Sequence, residues 1–175
     1  MPEPAMKALN RLFDLAAWLA AGFLIGTLAM VLLGIAGRLW PALALPGSDA
    51  YAGYCMAAAA FLALAPTLRR GEHIRVMLVL QRLPVPARRA VELAVHAVGL
   101  ALAGGLAWFS LRLVWQSHAF HDISTGLDAT PLWIPQLGMA VGTLLLVLAL
   151  AVQFVEHLRG QPAPAAPGDE PARIE

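Results

Sequence analysis

Side chains able to carry chemistry are few in this 175-residue chain, and they fall in separate places. His118-Ala119-Phe120-His121-Asp122 sets two imidazoles and a carboxylate close together, the donor types that a zinc ion takes. Without a further partner the set is incomplete, and the stretch reads as a solvated loop. Glu92 and His96 stand four residues apart, so a helix would put them on one face within hydrogen-bonding reach. His96 would ligate a haem only with a second imidazole at its depth, and the candidates, His73 and His157, belong to the boundary of the apolar runs. A structural or interfacial His96 is therefore expected. The lone Cys55 excludes an internal disulfide and a cysteine-based metal site. No Gly-x-Ser-x-Gly surrounds Ser110, Ser117 or Ser124, and neither a Gly-rich phosphate loop nor a metalloprotease helix motif occurs. No catalytic, cofactor-binding or metal-ligating residue is assigned, and an enzyme is not expected.

The remaining concentration of reactive groups is Arg69-Arg70-Gly71-Glu72-His73-Ile74-Arg75-Val76. The segment from Arg69 to Arg89 holds six of the twelve Lys and Arg residues. Arginines and a histidine so placed are suited to phosphate headgroups or to the acidic edge of a protein partner. The run Ile74 to Leu80 that follows is apolar apart from Arg75, yet too short to cross a bilayer, so segment 73–82 is expected to lie in the interface. Pro84 and Pro86 should end it.

The elements that position these groups are read from where charge is missing. Charge-free intervals of 23, 19, 19 and 27 residues separate Asp14 from Arg38, Asp49 from Arg69, Glu92 from Arg112 and Asp128 from Glu156. A hydrocarbon core about 30 Å thick takes roughly 20 apolar helical residues, so each interval holds one span. A soluble bundle would need a polar stripe on every helix, whereas hydrophobic residues make up 59% of this chain. The expected fold is an all-α integral membrane protein with four transmembrane helices, at about 15–37, 50–68, 91–111 and 132–155, in one membrane domain over 1–160. No repeat and no second domain is read. The Pro-rich segment 161–175 is expected to be a disordered cytoplasmic tail.

Basic residues alternate along the chain as two, one, six, one and two across the flanks and loops, which places both termini in the cytoplasm. Trp40, Tyr51, Tyr54, Trp115 and Trp133 then fall near the outer ends of their spans, and Trp18 near the inner end of the first. Lys7 and Arg11 ahead of an apolar run resemble a secretory signal, but the run exceeds such a core and is read as a retained first helix. No Asp, Glu, Lys or Arg lies in mid-membrane, where ion-coupled carriers place one, so the chain alone makes a poor pump or exporter. Ahead of the fourth span, Thr130 is expected to cap the helix with Pro131 at its first position and Trp133 at the interface.

Gly71-Glu72-His73-Ile74-Arg75-Val76 after the second of four spans resembles the G-x-H-I-R-V signature of the small membrane subunit of tripartite ATP-independent periplasmic (TRAP) transporters, the DctQ-like family. Arg38 at the end of the first span, Leu83-Pro84, and Thr130-Pro131-Leu132-Trp133-Ile134-Pro135 match as well, so the resemblance covers roughly Leu12 to His157. Met77 stands where the family often has Asp, and Asp49 is an approximate counterpart of its acidic residue before the second span. The resemblance implies a scaffold in the inner membrane that pairs with a large multi-span permease subunit. It also implies a periplasmic solute-binding protein, sodium-gradient-driven uptake of an organic acid, and no cofactor or nucleic acid. Arg38, Arg69, Arg70, Gly71, His73, Arg75 and Trp133 are the expected contacts with that partner or with membrane phospholipids. The reading set against it is a membrane-anchor subunit of a b-type cytochrome or other respiratory complex, which needs paired axial histidines.

Overall fold

The computed structural model describes residues 3–70 and 84–158. Gly71, His73, Arg75, the expected interfacial segment 73–82 and the tail 161–175 lie outside the described residues. The described chain is helical, and its only bridge of β type is an isolated antiparallel pair between Ile123 and Pro131. Helix α1 runs Glu3–Leu39, α2 Ser48–Arg69, α3 Val85–Ala119 and α4 Trp133–Leu158, with a short 3₁₀ turn at Pro41–Leu43 between α1 and α2.

All four are long and apolar enough to cross a membrane, as the charge-free intervals require. Two of them overshoot the expected spans. At about 1.5 Å per residue, the 37 residues of α1 and the 35 of α3 measure roughly 50 to 55 Å, well beyond a hydrocarbon core of about 30 Å. Helix α1 therefore carries Lys7, Arg11 and Asp14 on turns beyond the apolar stretch, where Lys7 and Arg11 favour a helix and water satisfies the charges. The start of α4 also differs from expectation. It begins at Trp133, so Pro131 is not its first residue and Thr130 is not its cap. Pro135 is the proline in the first turn, where its missing N–H is harmless.

Side by side, the helices follow the order α1, α2, α4, α3, each touching its neighbour in that row. Consequently α2 and α4 form the centre: 33% of the most apolar window of each is buried, against 6% for α1 and 11% for α3. The contact between the central pair is made by small residues. Gly138 and Gly142, one turn apart on α4, face Ala58 and Phe61 of α2. A Cβ on Gly142 would meet the Phe61 backbone at 2.4 Å, and one on Gly138 would meet Ala58 at 2.8 Å. In lipid, where apolar side chains gain nothing by leaving one apolar medium for another, close backbone approach of this kind is what holds helices together. Thr143 on the same helix is fully buried and donates its hydroxyl to the Ala140 carbonyl, so the seam contains no unsatisfied hydroxyl there.

Gly142→Leu is expected to separate α2 from α4 and to cost about 1 to 3 kcal/mol or more, the usual penalty for overpacking. Gly104→Ala, at a site with nothing within 4 Å of the added Cβ, should be neutral or slightly stabilising. Thermal unfolding of the two variants in detergent distinguishes them; equal behaviour would remove the seam from this account.

Candidate functional site

The polar residues of the helices collect in two belts. On α1 the apolar stretch is bounded by Asp14 and Arg38, on α2 by Asp49 and Arg69, and on α3 by Glu92 and Arg112. These separations correspond to about 30 to 36 Å along a helix, the thickness of a bilayer core.

At one end Arg69, the last residue of α2, is the hub. Its Nη1 donates to Glu156 of α4 at 3.3 Å, its Nη2 reaches the sulfur of Met6 at 3.7 Å, and the guanidinium lies 5.9 Å from the centre of the Phe13 ring. Phe13, Ala65 and Ala149 close beneath it, with Leu9, Leu68 and Leu145 around them. The side chains of Arg69 and Glu156 are only 15% and 20% exposed, so this pair is screened less than a surface pair. Gln153 adds a second tie, donating Nε2 to the Leu68 carbonyl at 3.2 Å and so satisfying a helix-end carbonyl of α2. Together these contacts clamp α1, α2 and α4 at this end.

The same belt continues to α3 through two histidines. His96 and His157 stack with ring centres 4.3 Å apart, and Nε2 of His157 lies 3.9 Å from Oε2 of Glu92. His96 and Glu92 are hydrogen-bonded, as their four-residue spacing allows, through His96 Nδ1 donating to the Glu92 carbonyl, and the Nδ1 of His157 donates to the Gln153 carbonyl. The carboxylate turns outward to the neighbouring helix, and His96 closes on its own backbone. Rings stacked at this distance leave no room for a porphyrin between them, so the pairing does not form the bis-imidazole arrangement that the haem reading needs.

At the opposite end the connection between α3 and α4 is pinned onto α2. Tyr54 donates to Oδ2 of Asp128 at 3.0 Å, Ser124 to Oδ1 at 2.8 Å, and Thr130 to the Tyr51 hydroxyl at 3.1 Å. This use of Thr130 explains why it does not cap α4. Backbone bonds Ser124 to Thr130 and Leu132 to Asp122 flank the Ile123–Pro131 bridge. Gly47, with φ +80°, approaches Asp128 so closely that a Cβ would lie 2.6 Å from the aspartate Cβ. His118 to Asp122, expected to be a solvated loop, are exposed, with His118 and Ala119 ending α3, and the pinned part of the connection is Ser124 to Thr130. Partial burial alone would raise the Asp128 pKa, but hydrogen bonds from Ser124 and Tyr54, with the Thr130 hydroxyl dipole close by, hold it below its ordinary value of 3.8.

The expected site residues divide between these belts. Arg69 and Arg70 lie together at the first; Arg38 and Trp133 lie at the second, where Arg38 reaches Asp49 at 4.0 Å with both side chains largely exposed, a weak pair. Trp133 stacks edge-on with His118 at 5.4 Å, a contact that accounts for this histidine without a metal. Gly71, His73 and Arg75 fall outside the described residues. Reading the sequence alone missed Glu156, Gln153 and Asp128. Their signal was a polar residue at the edge of a charge-free interval, but the partners are 74 to 87 positions away.

Between the belts, hydroxyls turn back on their own helices: Thr27 to Phe23, Thr67 to Ala63 and Ser110 to Leu106, all as donors to carbonyls. Four helices long and apolar enough to cross a membrane, tied at two polar belts, define the class as a multi-pass membrane protein. Residues 27–160 match the family described as tripartite ATP-independent periplasmic transporters, DctQ component, and the chain belongs to that family. It is a small membrane subunit of such a transporter, a multi-pass inner membrane protein from a family of transporter components and not of enzymes. Comparison with curated proteins finds no match.

Two outcomes follow from the belts. Glu156→Gln should destabilise the chain by about 1 to 3 kcal/mol by leaving Arg69 half-buried and unpaired, and adding Arg69→Gln should recover part of that loss, as thermal unfolding of the single and double variants would record. At the other belt, a carboxylate whose pKa is lowered on folding adds stability that is fully present above 3.8 and is lost as pH falls through the lower folded value. Amide exchange at Ser124 and Leu132, corrected for intrinsic rate, should therefore quicken on acidification below about pH 4. Asp128→Asn should be faster at neutral pH and lose that response.

Proposed function

We propose that this chain holds the large multi-span permease subunit of a TRAP transporter in the inner membrane. The working system would then take up an organic acid, delivered by a periplasmic solute-binding protein, on a sodium gradient. Both termini are placed in the cytoplasm, so the Arg69 belt faces inward and the Asp128 belt outward. The observation that carries the reading is the uneven burial of the helices: α1 and α3 flank a packed centre and keep broad apolar faces uncovered, among them Leu24, Ile25 and Leu28 on α1 and Leu102, Trp108 and Phe109 on α3. Lipid covers such faces, and so does a membrane partner with its own apolar helices. The described spans offer no charged residue in mid-membrane with which to bind an ion, which fits a supporting role.

Arg69, Arg70, Gly71, His73 and Arg75 then contact lipid headgroups or the cytoplasmic edge of the large subunit, while Arg38 and Trp133 do so at the opposite surface. Arg69 acts there mainly by fixing the helix ends, since its charge is already paired with Glu156. The basic excess between the second and third spans supports the orientation.

Co-expression with the large subunit and the binding protein, followed by co-purification and uptake into vesicles, tests the reading. Replacing His73 and Arg75 together with Ala should reduce both assembly and uptake by about tenfold, the loss expected for one or two charge-assisted contacts. Unchanged assembly and uptake would sink the site assignment. Uptake by vesicles holding this chain alone would sink the scaffold.

A further inference from the structure

Helices α1 and α2 border an open recess of about 340 Å³ at the Arg69 belt, lined by Asn10, Phe13, Asp14, Pro66, Arg69 and Arg70, of which Asn10, Asp14 and Arg70 are exposed. Its charges do not cancel by pairing across it. Arg69 is neutralised by Glu156 at 3.3 Å on the α4 side, whereas neither Asp14 nor Arg70 forms an ion pair with any described residue. What faces the recess, among the described residues, is a guanidinium and a carboxylate without an ion-pair partner and the Asn10 amide, beside the Phe13 and Pro66 rings.

We infer that this recess holds the headgroup of a zwitterionic phospholipid bearing a primary ammonium, of phosphatidylethanolamine chemistry. The phosphodiester takes hydrogen bonds from the Arg70 guanidinium and the Asn10 amide, and the ammonium donates to Asp14. The net charge decides the class. A purely anionic headgroup such as phosphatidylglycerol would gain Arg70 but offer Asp14 only neutral hydroxyl donors, while a zwitterion sets a cation against the carboxylate and matches both ends. A trimethylated choline has the charge but no N–H to give the carboxylate. The depth agrees too, because the recess lies at the boundary between the charged belt and the apolar stretch of α1, where exposed Leu15 and Leu19 continue beyond Asp14 as a surface for acyl chains.

The inference rests on the reading of this belt as a bilayer surface, and it is tested apart from transport. The full chain, purified in detergent, is titrated with phosphatidylethanolamine, phosphatidylcholine, phosphatidylglycerol and inorganic phosphate, and bound ligand is counted by native mass spectrometry. The chain should retain phosphatidylethanolamine about tenfold more tightly than either other lipid, with no competition from phosphate. Asp14→Asn should abolish that preference while still binding phosphatidylglycerol. Arg70→Gln should weaken all three lipids about tenfold, Arg70→Lys should restore part of the binding, and Arg112→Gln, at the far belt, should change nothing. Equal retention of the three lipids by the unaltered chain, a preference that survives Asp14→Asn, or displacement by inorganic phosphate would each overturn the proposal. Lost lipid selectivity with assembly intact, or the reverse, separates this site from the scaffold role.

Discussion

Everything in this structure depends on the cost of placing an unpaired charge or polar group in hydrocarbon. One Arg, Lys or Asp at the centre of a span costs about 2.5 to 3.5 kcal/mol on insertion scales, and a backbone group without a partner costs several more. The chain meets the first cost by confining charges to two belts, and the second by being helical wherever it crosses. Its few hydroxyls between the belts bond to carbonyls one turn back, so they add no demand on neighbouring helices. Once these limits are set, helix number and span length are no longer free.

What the membrane does not supply is a reason for the helices to pack on one another. The hydrophobic effect ends at insertion, and association rests on close contact and on ties at the polar belts. The chain uses both. Gly138 and Gly142 bring the α4 backbone against α2, while Arg69, Glu156 and Gln153 lock the same two helices at their ends. The flanking helices have fewer such devices, and α3 joins the row partly through the imidazole pair of His96 and His157. An open row leaves more apolar face uncovered than a closed four-helix bundle would, and that surplus is the part of the molecule suited to a membrane partner.

The fold was legible because the signal for a span is an absence of charge over about 20 residues, which needs no knowledge of any contact. Helix ends were less so. Lys7, Arg11 and Asp14 mark the edge of the hydrocarbon, but a helix does not stop where the membrane does, so α1 continues back to Glu3. Thr130 has the right type for a cap and the right place before a proline, yet Tyr51, 79 positions away, takes its hydroxyl. The seam was present in the sequence as Gly138-x-x-x-Gly142, a small-residue spacing that could have been read and was not. By contrast, no local pattern pairs Arg69 with Glu156, because sequence position carries no information on which polar residues share a belt. For the basic stretch the reading stops at Arg70, since Gly71, His73 and Arg75 lie outside the described residues.

The two belts differ in kind, and the difference bears on what each can do. At the Asp128 belt the partners are mostly neutral hydroxyls around one carboxylate whose pKa lies below its ordinary value, so the arrangement keeps one charge state from neutral pH down to the acid range. Such a surface is fixed in shape, with Phe120, Ile123 and Leu127 turned outward from an ordered backbone. The Arg69 belt carries Arg69, Arg70, Asp14, Glu92, Glu156 and the two adjacent imidazoles of His96 and His157, spread over all four helices and the end of α2, so its contacts depend on how charge is distributed among neighbours. A partner or lipid that brings charge to the Asp128 belt meets a completed structure; one that brings it to the Arg69 belt enters a network in which Arg70 and Asp14 form no ion pair with the described residues. Recognition that depends on charge therefore belongs to the Arg69 end, and recognition that depends on shape belongs to the other.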